Sequence, residues 1–277
     1  MKTFKLLTLA IFAFFVSCSS DDSAPTSNEL QGLSLLREME NDSHVLELYT
    51  KTGTLQQGYN AISVRIKDKT TGQYQTDANI SWTPLMHMTS MQHSCPFSAV
   101  AKTPGKETLY NGYIVFQMAE NASEYWTISI DYSIDGSDYS VNGEISVPAS
   151  AKRRVASFAG SDGNNYIVAM ADPDQPAVGL NQMTAVVYKT ASMMSYSQVE
   201  NFTVKIDPRM PGMGNHGSPN NIDLTQNAGF YSGTLSLTMT GYWKINLQVL
   251  NPEGEILKGE AVTEDNPASS IFFEVEF

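Results

Sequence analysis

Residues 126–132 read WTISIDY, and every second residue of this stretch is apolar. A period of two gives a β-strand one buried face and one face in water. Residues 62–66 and 114–118 alternate in the same way, and the second half of the chain repeats the pattern at residues 235–239 and 243–249. Because no stretch shows a convincing helical period, the sequence predicts an all-β protein.

The chain contains an internal repeat. Residues 110–118 read YNGYIVFQM and residues 231–239 read YSGTLSLTM, at a constant offset of 121 residues. The same offset aligns GYN at residues 58–60 with GLN at residues 179–181. Self-similarity of this kind is typical of a tandem duplication. About 110 residues per half, with many short strands, favour an immunoglobulin-like β-sandwich for each half.

The predicted architecture is therefore all-β, with two tandem immunoglobulin-like β-sandwich domains after a lipoprotein signal peptide. The predicted segments are a signal peptide at residues 1–17, a flexible tether at 18–34, a first domain at 35–148, a linker at 149–157 and a second domain at 158–277.

The N-terminus has the layout of a secretory signal. Lys2 and Lys5 precede an apolar run over residues 6–16 that is too short to span a bilayer as a helix. Residues 15–18 read FVSC, which resembles the lipobox of bacterial lipoproteins, although it begins with Phe rather than the usual Leu. The interpretation is cleavage before Cys18 and lipidation of its sulfur, which predicts an outer-membrane lipoprotein of a Gram-negative bacterium, on the periplasmic face or the cell surface. The alternative is an ordinary cleaved signal that contains Cys18.

Net charge, cysteine content and the catalytic motifs that are absent from the sequence exclude several classes of function. Removal of residues 1–17 leaves 15 basic and 29 acidic residues, a net charge of −14. Such a surface repels nucleic acid, so no nucleic-acid partner is predicted. With Cys18 lipidated, Cys95 is the one remaining thiol, and no internal disulfide can form. The sequence shows no Ser/His/Asp set, paired-carboxylate signature or phosphate-binding loop, so the protein is not predicted to be an enzyme.

Two windows of the chain concentrate methionine and histidine. Residues 84–96 read PLMHMTSMQHSCP, and residues 208–219 read PRMPGMGNHGSP. The chain has four His and thirteen Met, and three of the His and five of the Met lie in these windows. Thioether and imidazole are soft to borderline donors that suit copper, above all Cu(I). Each window follows a strand-like stretch, which predicts a long loop over one end of its sandwich.

The windows therefore predict copper binding through Met and His. The candidate ligands are Met210, Met213 and His216 in the second window, and Met86, His87, Met88, Met91, His93 and Cys95 in the first. The alternative for a methionine in a β-protein is packing in the core. That alternative is the interpretation of Met118 and Met239. Met193 and Met194 are a candidate third source of donors, although core or loop packing is favoured for them.

The second window and the strands after it resemble a known family. Residues 210–217 read MPGMGNHG, and they are followed by GFYSG at residues 229–233 and GYWKI at residues 241–245. This combination is similar to the YtkA-like family of secreted domains, over about residues 160–277. The resemblance implies an immunoglobulin-like fold, a Met/His-containing loop and an association with copper handling around respiratory oxidases. The first half resembles the family more remotely, because it lacks the Pro-Gly-Met core of the loop.

The sequence thus predicts a lipid-anchored envelope protein that binds copper for chaperoning, delivery or buffering. Its expected partners are a copper ion, the membrane through the lipid on Cys18, and a respiratory oxidase or copper exporter. The second hypothesis is a cell-envelope adhesin or carbohydrate-binding lipoprotein whose loops are structural. Exposed aromatic platforms would favour that hypothesis, and the Tyr-rich stretch at residues 132–139 leaves it open.

Overall fold

The computed structural model describes residues 28–277. The predicted signal peptide, Cys18 and most of the predicted tether lie outside the described residues. Residues 28–33 form turns against the strands that follow, and the Glu29 carboxylate accepts a hydrogen bond of 3.1 Å from the Thr108 backbone N–H. Within the described part of the chain, no helix is long and apolar enough to cross a membrane.

Residues 34–145 fold into a β-sandwich of two antiparallel sheets. Its strands are β1 (Ser34–Glu40), β2 (His44–Thr50), β3 (Gly58–Asp68), β4 (Asn79–His87), β5 (Gln92–His93), β6 (Ala101–Lys102), β7 (Tyr110–Phe116), β8 (Tyr125–Ile134) and β9 (Ser137–Ile145). One sheet has the order β1-β2-β3-β7-β6, and the other has the order β5-β4-β8-β9. Apolar residues from both sheets face inward, and Phe116 and Trp126 are among the largest side chains that this first core buries completely.

Residues 155–276 form a second sandwich. Its strands are β10 (Val155–Ala159), β11 (Asn165–Asp172), β12 (Gly179–Ser192), β13 (Ser195–Gln198), β14 (Thr203–Met210), β15 (His216–Gly217), β16 (Ile222–Asn227), β17 (Phe230–Leu237), β18 (Tyr242–Leu250), β19 (Ile256–Lys258) and β20 (Phe272–Glu276). The strand order is β10-β11-β12-β17-β16-β14-β18-β19, in which β16 pairs with both β17 and β14 and so joins the two layers. In addition, β13 pairs with β12, β15 with β14 and β20 with β18. The prediction of an all-β, sandwich-type fold is confirmed.

The two sandwiches share strand order and register. The order β1-β2-β3-β7 of the first recurs as β10-β11-β12-β17 in the second. Gly58 lies opposite Phe116 in the first, and Gly179 lies opposite Leu237 in the second. Gly179 follows Gly58, and Leu237 follows Phe116, by the same 121 residues that separate the two copies of the sequence repeat. The origin of the sequence repeat in a tandem duplication stays a prediction, and so do the predicted domain boundaries.

The repeated Gly-x-Asn motif also has the same local contacts in both halves. The Asn60 side chain accepts a hydrogen bond from the Gln56 N–H and donates one to the Gln56 carbonyl oxygen. Asn181 makes the same two contacts with the backbone of Ala177. Each asparagine therefore closes the turn that leads into the long third strand of its sandwich.

The sandwiches contact each other through the outer faces of their sheets. This contact, called the junction below, is an apolar cluster of Tyr113, Val115, Val155, Ile167, Ala169, Val186 and Tyr188. Tyr59, Tyr196 and Phe230 pack against it. Because the junction contains side chains from both sandwiches, burial of apolar surface stabilises their association.

The Met/His windows begin within strands. β4 continues through Met86 and His87, and β14 continues through Met210, so the prediction of long loops is wrong for these three residues. The preceding prolines, Pro84 and Pro208, lie inside the same strands. At these ends, each strand has only a two-residue strand as its neighbour on one side. That neighbour is β5 for β4, and β15 for β14. Proline is tolerated on such an edge, because the edge offers few places where its missing N–H would be needed.

Candidate metal-binding site

In the first sandwich a methionine and a histidine face each other across a short ladder. Met86 on β4 pairs with His93 on β5, and on its other side Met86 pairs with Trp126 on β8. Residues directly opposite in antiparallel strands have Cβ atoms about 4.5–5.5 Å apart and share a face. Met86 is fully buried and His93 is 7% exposed. The pair therefore lies on the inner face of the sheet, at the end of the first core.

The His93 ring presents one unpaired nitrogen. Its Nδ1 lies 2.7 Å from the Ser94 carbonyl oxygen, which can only accept, so Nδ1 carries the hydrogen. In the neutral ring Nε2 then carries the lone pair, and this buried atom has no hydrogen-bond partner among residues 28–277. An unpaired buried polar atom costs about 1–3 kcal/mol. Metal-binding histidines have the same arrangement, with one N–H donated to a carbonyl and the other nitrogen left for the ion.

His87 is directed away from this pair. Neighbouring residues of a strand point to opposite faces, so His87 lies on the outer face of β4 while Met86 lies on the inner face. The His87 Nε2 is 2.9 Å from the Thr127 hydroxyl, and its Nδ1 is 2.9 Å from the side-chain nitrogen of Gln92. The ring also stacks on Tyr125, with a centroid distance of 4.7 Å. Both ring nitrogens are occupied, and the structure does not bring His87 to the inner pair.

The other candidates of the first window differ in exposure. Cys95 is completely buried in the first core, and burial raises the pKa of its thiol well above the ordinary value. A protonated thiol is a poor ligand, because the thiolate is the species that binds a metal. Met88 packs against the same core, whereas Met91 is 47% exposed. The structure therefore does not gather all the candidates of this window around one point.

The second window contains the same kind of cross-strand pair. Met210, the last residue of β14, pairs with His216 on β15. Between them lie a 3-10 turn at Pro211–Met213 and then Gly214 and Asn215, whose φ angles are 63° and 60°. Glycine and asparagine are the residues that tolerate this left-handed conformation best. The tight connection thus sets Met210 beside His216.

The second pair has one buried and one exposed member. Met210 is buried against the second core, so closely that a Cβ on Gly241 would lie 3.1 Å from the Met210 Cε atom. His216 is exposed, and Met213 on the intervening turn is 57% exposed. One buried thioether therefore has an exposed thioether and an exposed imidazole on the turn that follows it. Donors of this kind suit a soft ion that exchanges readily.

The soft donors beside the two paired histidines are methionine thioethers. Across residues 28–277, no group of three or more His, Cys, Asp or Glu side chains is placed to hold a metal ion. A hard cation such as Ca²⁺ requires about six to eight oxygen ligands. For a soft ion such as Cu(I), by contrast, thioether and imidazole are suitable donors.

The fold and the paired residues define a β-sandwich domain that carries a Met/His turn at the end of one strand. Residues 161–248 match the family model described as YtkA-like. The matched segment includes Met210, Met213 and His216. The resemblance predicted from the second window is confirmed for this segment, and the relation of the first sandwich to the family stays a prediction. No curated protein matches the chain.

The second sandwich contacts the first window in a way that no sequence pattern predicts. The Ser94 N–H donates to the Met193 carbonyl oxygen at 2.8 Å, and the Tyr196 hydroxyl donates to the Ser94 carbonyl oxygen at 2.9 Å. The side-chain amide of Gln117 donates to the same carbonyl at 3.1 Å. Ser94 and Tyr196 are 102 residues apart in the chain, and no local pattern signals a contact over that separation.

Proposed function

We propose that the protein is a lipid-anchored envelope protein that binds Cu(I) through methionine and histidine, for chaperoning, delivery or buffering. The observation that carries this proposal is the cross-strand pair that occurs in both sandwiches, Met86 with His93 and Met210 with His216. Both donor types suit Cu(I) better than they suit hard cations. The anchor on Cys18 and the envelope location come from the sequence alone.

The two pairs differ in how easily an ion reaches them. Met86 and His93 are enclosed by the first core, and the unpaired His93 Nε2 supplies a lone pair there. His216 and Met213 are exposed, with Met210 beneath the surface. We assign rapid exchange to the second site, with Met210, Met213 and His216 as its ligands. A respiratory oxidase or a copper exporter is the proposed partner in that exchange.

Charge supports the proposal in a general way. The chain from Cys18 onward carries a net charge of −14, which raises the local concentration of cations. Selection among those cations falls to the donors, since thioethers gain little from hard ions or from Zn(II).

The Tyr-rich stretch at residues 132–139 gives little support to the carbohydrate-binding alternative. Tyr132 is buried, and its hydroxyl contacts Asn41 at 2.8 Å and His44 at 3.1 Å. Its ring stacks on Tyr139 with a centroid distance of 5.4 Å, and Tyr139 packs against the first core. The two rings are used for packing, so they do not form an exposed platform for a sugar.

The proposal is tested by Cu(I) titration of residues 19–277 in anaerobic competition with a chromogenic chelator. The double variant His216→Ala and Met213→Ala is expected to bind one Cu(I) equivalent fewer, because Met210 would be left as a single donor. The control is Ile222→Ala, which shortens another exposed side chain of the same sandwich. Unchanged stoichiometry in the double variant would contradict the assignment, as would binding of Zn(II) in preference to Cu(I).

A further inference from the structure

Two methionines of the second sandwich lie at the first Met/His window. β12 and β13 form a hairpin whose two-residue tip is Met193 and Met194. The Met193 carbonyl oxygen accepts the Ser94 N–H at 2.8 Å, and the Tyr196 hydroxyl on β13 donates to the Ser94 carbonyl oxygen at 2.9 Å. These two hydrogen bonds hold the hairpin tip against Ser94, the residue that follows His93.

The side chains at this place are exposed. Met193 is 53% and Met194 is 52% exposed, so at the hairpin tip neither side chain is buried in the core. Met91, which is 47% exposed, precedes Ser94 by three residues, and three residues of chain span at most about 10 Å. The flexible methionine side chains can close this gap, because each has three rotatable bonds.

Neither packing nor turn geometry explains three exposed methionines here. Burying a methionine side chain contributes about 1.5–3 kcal/mol, and each of these side chains, which is about half exposed, forgoes a large part of that gain. Two-residue hairpin turns favour Asn, Asp and Gly, whereas this tip has none of them. What the three side chains share is an exposed thioether, the softest uncharged donor among the protein side chains.

We propose that Met91, Met193 and Met194 form a surface site for a soft monovalent cation, Cu(I), which is shared between the two sandwiches. This inference rests on the proposed function, since it assigns the same ion to a second set of donors. The site lies over the segment that carries His93, and it is separate from Met210, Met213 and His216.

The arrangement makes the site depend on both sandwiches. Met91 comes from the first and the hairpin tip comes from the second, and the hydrogen bond between Ser94 and Met193 sets their spacing. Separation of the sandwiches would disperse the donors. The proposed surface site therefore depends on association of the two sandwiches.

The test is oxidation footprinting of each methionine by hydrogen peroxide, read by mass spectrometry on residues 19–277 with and without Ag(I). Ag(I) is used as the probe because it has the charge and softness of Cu(I) without its redox chemistry under peroxide. Coordination occupies the sulfur lone pair, so Ag(I) is expected to slow oxidation of Met91, Met193 and Met194 several-fold. The double variant Met193→Leu and Met194→Leu should lose the protection of Met91 while Met213 stays protected.

Leucine keeps the apolar bulk, and the Ser94 hydrogen bond uses only the Met193 backbone, so this variant is expected to fold. The control is Leu180→Ala, which changes another exposed side chain of the second sandwich and should leave every protection in place. If Ag(I) protects Met213 but leaves Met91, Met193 and Met194 oxidising at their original rate, the surface site is wrong and the proposed function stands. If Met213 is also unprotected, the proposed function fails.

Discussion

The Tyr113 hydroxyl lies 2.7 Å from the Tyr188 hydroxyl, across the junction between the two sandwiches. Both side chains are buried, and burial raises the pKa of each hydroxyl, so both are protonated at neutral pH. One hydroxyl donates to the other, which satisfies two polar groups that apolar neighbours surround. The junction therefore has a polar contact that depends on alignment of the two sandwiches.

Removal of both of these hydroxyls should cost less stability than the sum of the two single removals. Tyr113→Phe leaves the Tyr188 hydroxyl buried without this partner, which is expected to lower the free energy of unfolding by about 1–3 kcal/mol. In the double variant Tyr113→Phe and Tyr188→Phe no unpaired hydroxyl remains, so its loss should be smaller than the sum of the two single losses. Urea denaturation measures all three variants, and strictly additive losses would show that the two hydroxyls do not interact.

Met86 allows its role in the core to be separated from its role as a ligand. Met86→Leu conserves volume and is expected to cost less than about 1.5 kcal/mol of stability. Met86→Ala leaves a cavity beside Trp126 and is expected to cost about 2–5 kcal/mol. The leucine variant lacks the thioether, so Cu(I) titration should show weaker binding by a chain whose melting is nearly unchanged. A leucine variant with unaltered Cu(I) binding would remove Met86 from the ligand set.

Cys95 should react slowly with alkylating agents. The side chain is completely buried, and the raised pKa of its thiol keeps the reactive thiolate scarce at neutral pH. Iodoacetamide is therefore expected to label native protein far more slowly than protein in guanidinium chloride, as mass spectrometry would show. Fast labelling of the native protein would contradict the burial. A rate that falls when Cu(I) is added would identify Cys95 as a ligand.

His44 should make the protein less stable in mild acid. Burial lowers its pKa, and the nearby Asp68 carboxylate opposes this only in part. An unfolded histidine titrates near pH 6.5, so below about that pH the unfolded chain takes up this proton before the folded chain does. The contribution of the neutral His44 to the free energy of unfolding is therefore fully present above the unfolded pKa. It is lost as the pH falls toward the folded pKa.

The check is the urea midpoint of the native chain and of His44→Gln, at about pH 7.5 and about pH 5.5. The variant is expected to lose less stability between the two conditions, because it has no group that takes up a proton on unfolding at this position. Equal losses in the two proteins would assign the acid sensitivity to other groups.

Much of the fold could be predicted from short-range patterns. Alternation at residues 126–132 identified β8, and the repeat at residues 110–118 and 231–239 placed equivalent strands, β7 and β17, in the two halves. The ends of β4 and β14 were misplaced, because Pro84 and Pro208 were interpreted as the start of loops. Proline ends a strand only where its N–H is needed, and that depends on which neighbours the strand has.

The candidate site could likewise be predicted from the sequence only in part. Residues 208–219 predicted a Met/His turn, and the YtkA-like match covers it. The first window was predicted as one group of ligands, although His87 lies on the opposite face from Met86 and Cys95 lies in the core. A strand sends neighbouring side chains to opposite faces, so closeness in sequence did not produce closeness in space.

The sequence by itself determined the all-β fold, the recurrence of strands at a constant offset and the donor chemistry, because each of these follows from residue type and short-range spacing. Only the tertiary structure decided which donors meet. It enclosed His93 with an Nε2 that has no partner in the described part of the chain, left Met213 and His216 in solvent, and set the Met193 hairpin tip on Ser94. Those outcomes depend on the packing of sheets and of whole sandwiches, which brings together residues about a hundred positions apart that share no local pattern.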